Sequence, residues 1–151
     1  MIFVLLLIFL NNINACTTFI VGQDATMDGK VILAHSNDGA GSSPLNIGKV
    51  ASADYNLPAR RNVSGGSIPQ VSHTYAYLSK VGGYAAINEY SVGLAESTCS
   101  SKLSGDKNNG ILDIVDLSAI ALERSKTAVE AIEIMGNLSE TYGYYDAGES
   151  L

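Results

Sequence analysis

Residues 16–39 read CTTFIVGQDATMDGKVILAHSNDG. Cys16 to Gly22 is rich in β-branched and aromatic side chains, Asp24 to Gly29 closes on an Asp-Gly pair, and Lys30 to His35 resumes an apolar run. Such side chains fit the pleated surface of a strand, and Asp-Gly supplies the backbone that a tight reversal needs. The stretch predicts an antiparallel hairpin with Cys16 at its open end. Immediately upstream, Met1 to Leu10 reads MIFVLLLIFL and is followed by Asn11, Asn12, Asn14 and Ala15. An apolar run of this length is about half of the ~20 residues that cross a bilayer, yet it suits the core of a secretory signal. Residues 1–15 are therefore expected to be a signal peptide cut after the small Ala15, which leaves 151 − 15 = 136 residues beginning at Cys16. No stable membrane span is expected once they are removed.

Downstream, Gly39 to Pro69 is loop-like, with GAGSSP and SGGSIP flanking Arg60-Arg61. A stretch of that length is either functional or conceals a strand. Thr74 to Leu78, Tyr84 to Ile87 and Val92 to Ala95 are predicted strands, separated by Gly82-Gly83 and by Asn88 to Ser91. Then the period changes. Ile111, Leu112, Val115, Ala119 and Leu122 recur at helical spacing, and Ser125 to Leu138 forms a second helical segment. Thr127 with Glu130 makes a capping box for the second helix and Gly143 is a stop signal. Strands followed by helices place the chain in the α+β class.

Composition removes several functions. The chain carries 9 Lys+Arg against 15 Asp+Glu, a net charge of −6, so phosphate backbones find little to bind and nucleic acid is not an expected partner. Its 46% hydrophobic content is that of a folded domain. Phosphate-binding glycine loops and the hydrolase elbow motif are absent from the sequence. The two Cys and two His, at 16, 99, 35 and 73, show no metal-ligand spacing, and neither zinc nor a nucleotide cofactor is expected.

What remains is an amino-terminal cysteine. A thiol attacks as thiolate and needs a base nearby; a terminal Cys carries one, because its own α-amine titrates near ~8. Removal of residues 1–15 is then the activating step, since the nitrogen is a non-basic amide before it. Other fates of Cys16 stay open at this point. It can pair with Cys99, sit as a buried thiol, or be acylated, since Ile13-Asn14-Ala15-Cys16 loosely resembles a lipobox. In those cases the chain is a non-catalytic secreted or lipid-anchored module.

Three stretches resemble one family. CTTFIVGQDATMDGKVILAHSNDG resembles the opening of the N-terminal-nucleophile dipeptidases, the group that includes the secernins and is distantly similar to penicillin V acylases and bile-salt hydrolases. Ala86 to Ser100 (AINEYSVGLAESTCS) resembles a second motif of that family, and Ile111 to Tyr145 with the YGYYDAGES ending resembles its helical pair. The resemblance implies an αββα four-layer sandwich, cleavage of dipeptides through an acyl-enzyme, and no cofactor. It implies Cys16 as nucleophile, Asp38 as the carboxylate that holds its amine, and the Thr98 N–H in the oxyanion hole. Asn88 matches the motif's Asn and is expected to shape a turn.

His35 stands where the acylases carry an Arg, and an imidazole replaces that cation only while protonated. Its role divides between this and a strand hydrogen bond. Family members run further, so residues 16–151 are expected to be the N-terminal portion of the domain, with one sheet face exposed. The expected location is secreted or an endomembrane, lysosome-like lumen, in keeping with the sequons at Asn62 and Asn137. Arg60 and Arg61 are expected to be solvated or to fork a substrate carboxylate. Glu96 is expected to face water at a strand end or to meet a substrate amino group, and His73 to be a strand residue.

Overall fold

The computed structural model describes residues 16–36, 46–80, 85–99, 105–106 and 108–150. The signal segment 1–15, Asp38 and the Gly82-Gly83 spacer lie outside the described residues. The architecture is mixed α and β, with two helices and several antiparallel sheets. Among the described residues no helix is long and apolar enough to cross a membrane.

The opening hairpin forms as the sequence predicts. Strand β1 (Thr17–Val21) pairs antiparallel with β2 (Ile32–Ser36), from Thr17 opposite Ser36 to Val21 opposite Ile32. Gly29 closes the connection at φ 68°, a left-handed conformation that costs glycine nothing. Phe19, Ile20, Val31 and Ile32 of this hairpin are exposed.

The predicted loop from Gly39 to Pro69 is corrected by the structure, because its described part belongs to a long ribbon. The next strands are β3 (Ile47–Val50), β4 (Ala53–Asp54), β5 (Arg60–Val63), β6 (Gly66–Pro69), β7 (His73–Thr74) and β8 (Tyr77–Lys80). They pair in nested order, β5 with β6, β4 with β7 and β3 with β8, around a tip at Ser64-Gly65. Between the pairs Asp54–His73 and Arg60–Pro69, residues 55–59 on one side face 70–72 on the other. The two additional residues interrupt the alternation and leave pieces of two to four residues, too short for a period of two to register in the sequence. Strand β9 (Ala85–Asn88) extends the ribbon as the third strand of a β3-β8-β9 sheet.

Two further expectations are corrected. Thr74 to Leu78 is split between β7 and β8, and Val92 to Ala95 is a turn exit with one bridge, Gly93 to Ile87. The strand comes later, as β10 (Ser97–Cys99), which pairs with the C-terminal β11 (Gly148–Ser150).

The core is built on the first helix, α1 (Ile114–Arg124), which buries Ile114, Leu117, Ile120, Ala121 and Leu122 and also Asp116, Ser118 and Glu123. Burial on most sides, with Val115 alone exposed, marks a central helix. The ribbon tip is fastened to it: Ser64 N–H donates to Asp116 at 2.8 Å, Gly65 N–H to Ile111 C=O at 2.9 Å, and Ile68 is fully buried in the core. Ile111 and Leu112 precede the helix rather than start it. The second helix, α2 (Ala128–Tyr142), buries only Ala131 and Met135. Thr127 caps it by accepting from Glu130 N–H at 3.2 Å, while the Glu130 carboxylate reaches Lys126 N–H at 2.6 Å, one residue earlier than the predicted box. Gly143 stops it at φ 73°, where any side chain would meet the Asn109 carbonyl.

Arg60 is exposed, in line with a solvated side chain, whereas Arg61 departs from expectation. Both lie on β5; Arg60 binds Ser67, and Arg61 forms a half-buried ion pair with Glu123 of α1 at 3.0 Å. Arg61 is thus committed to the core and unavailable as a substrate fork. The same carboxylate accepts from Tyr77, whose hydroxyl is pushed up to about 12 by burial and by the Glu123 charge.

Asp113 caps α1. Burial alone would raise its carboxyl, but hydrogen bonds from Asp116 N–H, the Ser64 hydroxyl and the Tyr145 hydroxyl outweigh that and hold it below the ordinary aspartate value. A carboxyl depressed by folding adds stability that is complete above its unfolded pKa and is lost as pH falls through the folded one. The thermal midpoint of Asp113→Asn, which keeps a capping oxygen, should therefore fall furthest below wild type near neutral pH and converge with it in acid. A gap independent of pH would refute the assignment.

Candidate active site

The open end of the first hairpin brings the nucleophile candidate against the second motif. Cys16 directly precedes β1 and is half-buried; His35 on β2 is exposed and pairs with Thr18, two residues beyond Cys16 and on the same face of the hairpin. The Thr18 hydroxyl lies 3.2 Å from the Ser97 hydroxyl at the start of β10, which ties the hairpin to the AEST segment. This contact sets Glu96 beside the hairpin. One ligand atom each from Cys16, His35 and Glu96 lies within 4.8 Å of the others. A sulfur, an imidazole nitrogen and a carboxylate oxygen thus converge from positions up to 80 residues apart, between Cys16 and Glu96.

Glu96 overturns the expectation of a water-facing strand end. It is 2% exposed, and its Oε1 has no hydrogen-bond partner among the described residues. The other oxygen accepts the Thr98 hydroxyl at 3.4 Å. A buried carboxylate oxygen without a donor is costly and calls for a cationic or donor group to satisfy it. The sequence held only a weak trace of this, one acidic residue following the apolar run VGLA.

Thr98 therefore joins the cluster through Glu96, and its backbone lies on β10 opposite Glu149. Cys99 is exposed, and both cysteines are free thiols, with no bond between them. Asp38 lies outside the described residues. His73 is exposed on β7 and pairs with Asp54 at 2.6 Å, well removed in role from the cluster.

Asn88 behaves as expected of a turn-shaping residue. Its Oδ1 accepts from Tyr90 and Val92 N–H at 3.0 Å each, and its Nδ2 donates to the Leu122 and Ser125 carbonyls at 3.0 and 2.8 Å. It holds the 88–92 turn against the C-terminal end of α1, whose last carbonyls would otherwise be unpaired.

Beside the cluster runs a groove of about 1100 Å³ between the β1–β2 hairpin and β8–β9. Leu33, Ile87 and Leu94 contribute apolar walls, and His35, Glu96 and Lys126 contribute charge or hydrogen-bonding capacity. The Lys126 ammonium stands over the rings of Tyr75 and Tyr90, 5.6 and 5.3 Å from their centres.

A protein-family model described as peptidase family C69 matches residues 15–151. The chain belongs to peptidase family C69. Membership agrees with the resemblance carried by the CTTF and NEYSVGLAEST stretches, and it places this C69 chain among the peptidases. No curated protein matches the chain. The match begins at the residue before Cys16, so the half-buried thiol and the groove both fall within the family's own sequence.

Proposed function

We propose that this chain is a cysteine dipeptidase of the N-terminal-nucleophile type, in which removal of residues 1–15 frees Cys16. The convergence of Cys16, His35 and Glu96 beside an apolar groove is the observation that carries the proposal. The sulfur attacks the carbonyl carbon of the first substrate residue, a C–S bond forms, and the proton from the thiol ends on the departing amine of the second residue. Water then cleaves the thioester and regenerates the thiol. The Thr98 N–H serves the oxyanion, and Asp38 orients the Cys16 amine, both by resemblance.

Glu96 gives a reason for exopeptidase specificity. A peptide's free α-amine is two bonds, of about 1.46 and 1.52 Å, from the carbonyl carbon of its own residue. An attacked carbonyl at the sulfur therefore carries its ammonium into the neighbourhood of the Glu96 carboxylate, whose burial excludes competing water. Only the first residue of a chain offers that group. Lys126 supplies a matching cation in the same groove for the carboxylate of a short substrate.

Loss of a charge-assisted hydrogen bond costs about 1.5–3 kcal/mol. Glu96→Gln should accordingly lower kcat/KM for free dipeptides by roughly 10- to 150-fold. Against N-acetylated dipeptides, which lack the ammonium, variant and wild type should be equally poor. Retention of the wild-type preference for a free amine would refute the assignment.

The finer fold reading, a four-layer αββα sandwich, is supported by the exposed Phe19 and Ile32 on one face of the hairpin and Ile20 and Val31 on the other, which leave apolar surface for further packing. The apolar segment before Cys16 supports passage through the secretory route. A second mechanism is favoured by the position of His35: within 4.8 Å of the sulfur, its imidazole can accept the thiol proton in place of the α-amine.

A further inference from the structure

We infer that Cys16, His35 and Glu96 form a binding site for a thiophilic divalent cation of the zinc type, which holds the enzyme inactive while bound. The Cys/His spacing in the sequence gave no sign of this, because the third donor is a carboxylate and all three come from separate elements. Zinc binds sulfur at about 2.3 Å and imidazole nitrogen or carboxylate oxygen at about 2.0–2.2 Å. Ligands around such a centre lie roughly 3.5 Å from each other, so donors already within 4.8 Å stand within about 1.3 Å of that spacing. A mixed sulfur, nitrogen and oxygen set selects zinc or cobalt over magnesium and calcium, which take oxygen donors.

The second observation is independent of the cluster. Glu96 is 98% buried by exposure of 2%, yet its Oε1 has no partner among the described residues. A cation at the cluster supplies the missing counter-charge. On binding, the sulfur–metal bond forms as the thiol proton passes to solvent, and no oxidation state changes. Three protein donors leave the fourth tetrahedral position to water, so the site is open rather than structural. The inhibitory consequence rests on the proposed nucleophile: a sulfur committed to metal cannot attack, and the metal occupies the place argued for the substrate ammonium.

The test is titration of the full chain with cobalt(II), followed by the thiolate-to-cobalt charge-transfer absorption, with zinc and magnesium as competitors. A 1:1 complex is expected that zinc displaces and magnesium does not. Cys16→Ser should abolish the absorption, and Glu96→Gln and His35→Ala should each weaken cobalt binding at least about tenfold while far-ultraviolet circular dichroism is retained. His35 is exposed, so His35→Ala keeps the test decisive if Glu96→Gln misfolds. Absence of the absorption in folded wild type, or wild-type affinity in His35→Ala, would overturn the site. Cobalt binding is read without turnover: a chain that binds cobalt but cleaves nothing after the metal is stripped by a chelator sinks the peptidase reading alone, and one that cleaves but binds no cobalt sinks the site alone.

Discussion

Cys16→Ala should lower dipeptide turnover at least ten-thousandfold without shifting the thermal midpoint by more than a few degrees. Removal of a covalent nucleophile leaves only the contributions of binding and oxyanion stabilisation, and losses of this size or larger accompany it in hydrolases. The fold should tolerate the change, because Cys16 is half-buried, precedes β1 rather than pairing within it, and makes no disulfide. The chemistry also predicts which chain is active. A chain retaining residues 1–15 holds the Cys16 nitrogen as an amide and should be silent, whereas the chain beginning at Cys16 should turn over. Mass analysis of the amino terminus alongside the rate measurement separates the two proton acceptors. Activity that tracks the free terminus identifies the α-amine; full activity in an uncut or acetyl-capped chain identifies His35 and refutes activation by cleavage.

Asn88→Ala should be the most damaging single change to stability, costing about 3–5 kcal/mol. Four hydrogen bonds leave with the amide, and two carbonyls at the end of α1 and two N–H groups of the 88–92 turn lose their partners inside the protein. Buried polar groups left unpaired cost about 1–3 kcal/mol each, with overlap because neighbours relax together. That is a large part of the 5–15 kcal/mol that holds a domain of this size. The thermal midpoint should fall by roughly 6–20 °C. Asn88→Asp, which keeps both acceptor interactions but turns the donor toward two carbonyls into a second acceptor, should be no better than Ala. A fall of less than about 2 °C in Asn88→Ala would show that the turn and the helix end are held by other means.

The two effects have different origins although both residues sit in stretches that resemble family motifs. Asn88 acts by satisfying backbone groups at a junction of turn and helix; Cys16, in the proposed mechanism, acts by reactivity at a place where packing demands little. Glu96 combines the two, since its burial leaves one oxygen unpaired and the same burial strengthens its attraction for a cation.

Sequence alone determined the β1–β2 hairpin, both helices, the Gly143 stop and the candidacy of Cys16. Each rests on patterns within a few residues: a turn closed by Asp28-Gly29, helical periodicity from Val115 to Leu122, a cap by Thr127, a cysteine set after an apolar run. Only the tertiary structure decided the nested ribbon from Ile47 to Lys80, the commitment of Arg61 to Glu123, and the burial of Glu96 beside Cys16 and His35. Those features join residues as many as 80 positions apart, and a charged side chain reads the same in sequence whether it meets water, an ion pair or a nucleophile. Its partner is chosen by how the chain closes long loops, and no local pattern records that choice.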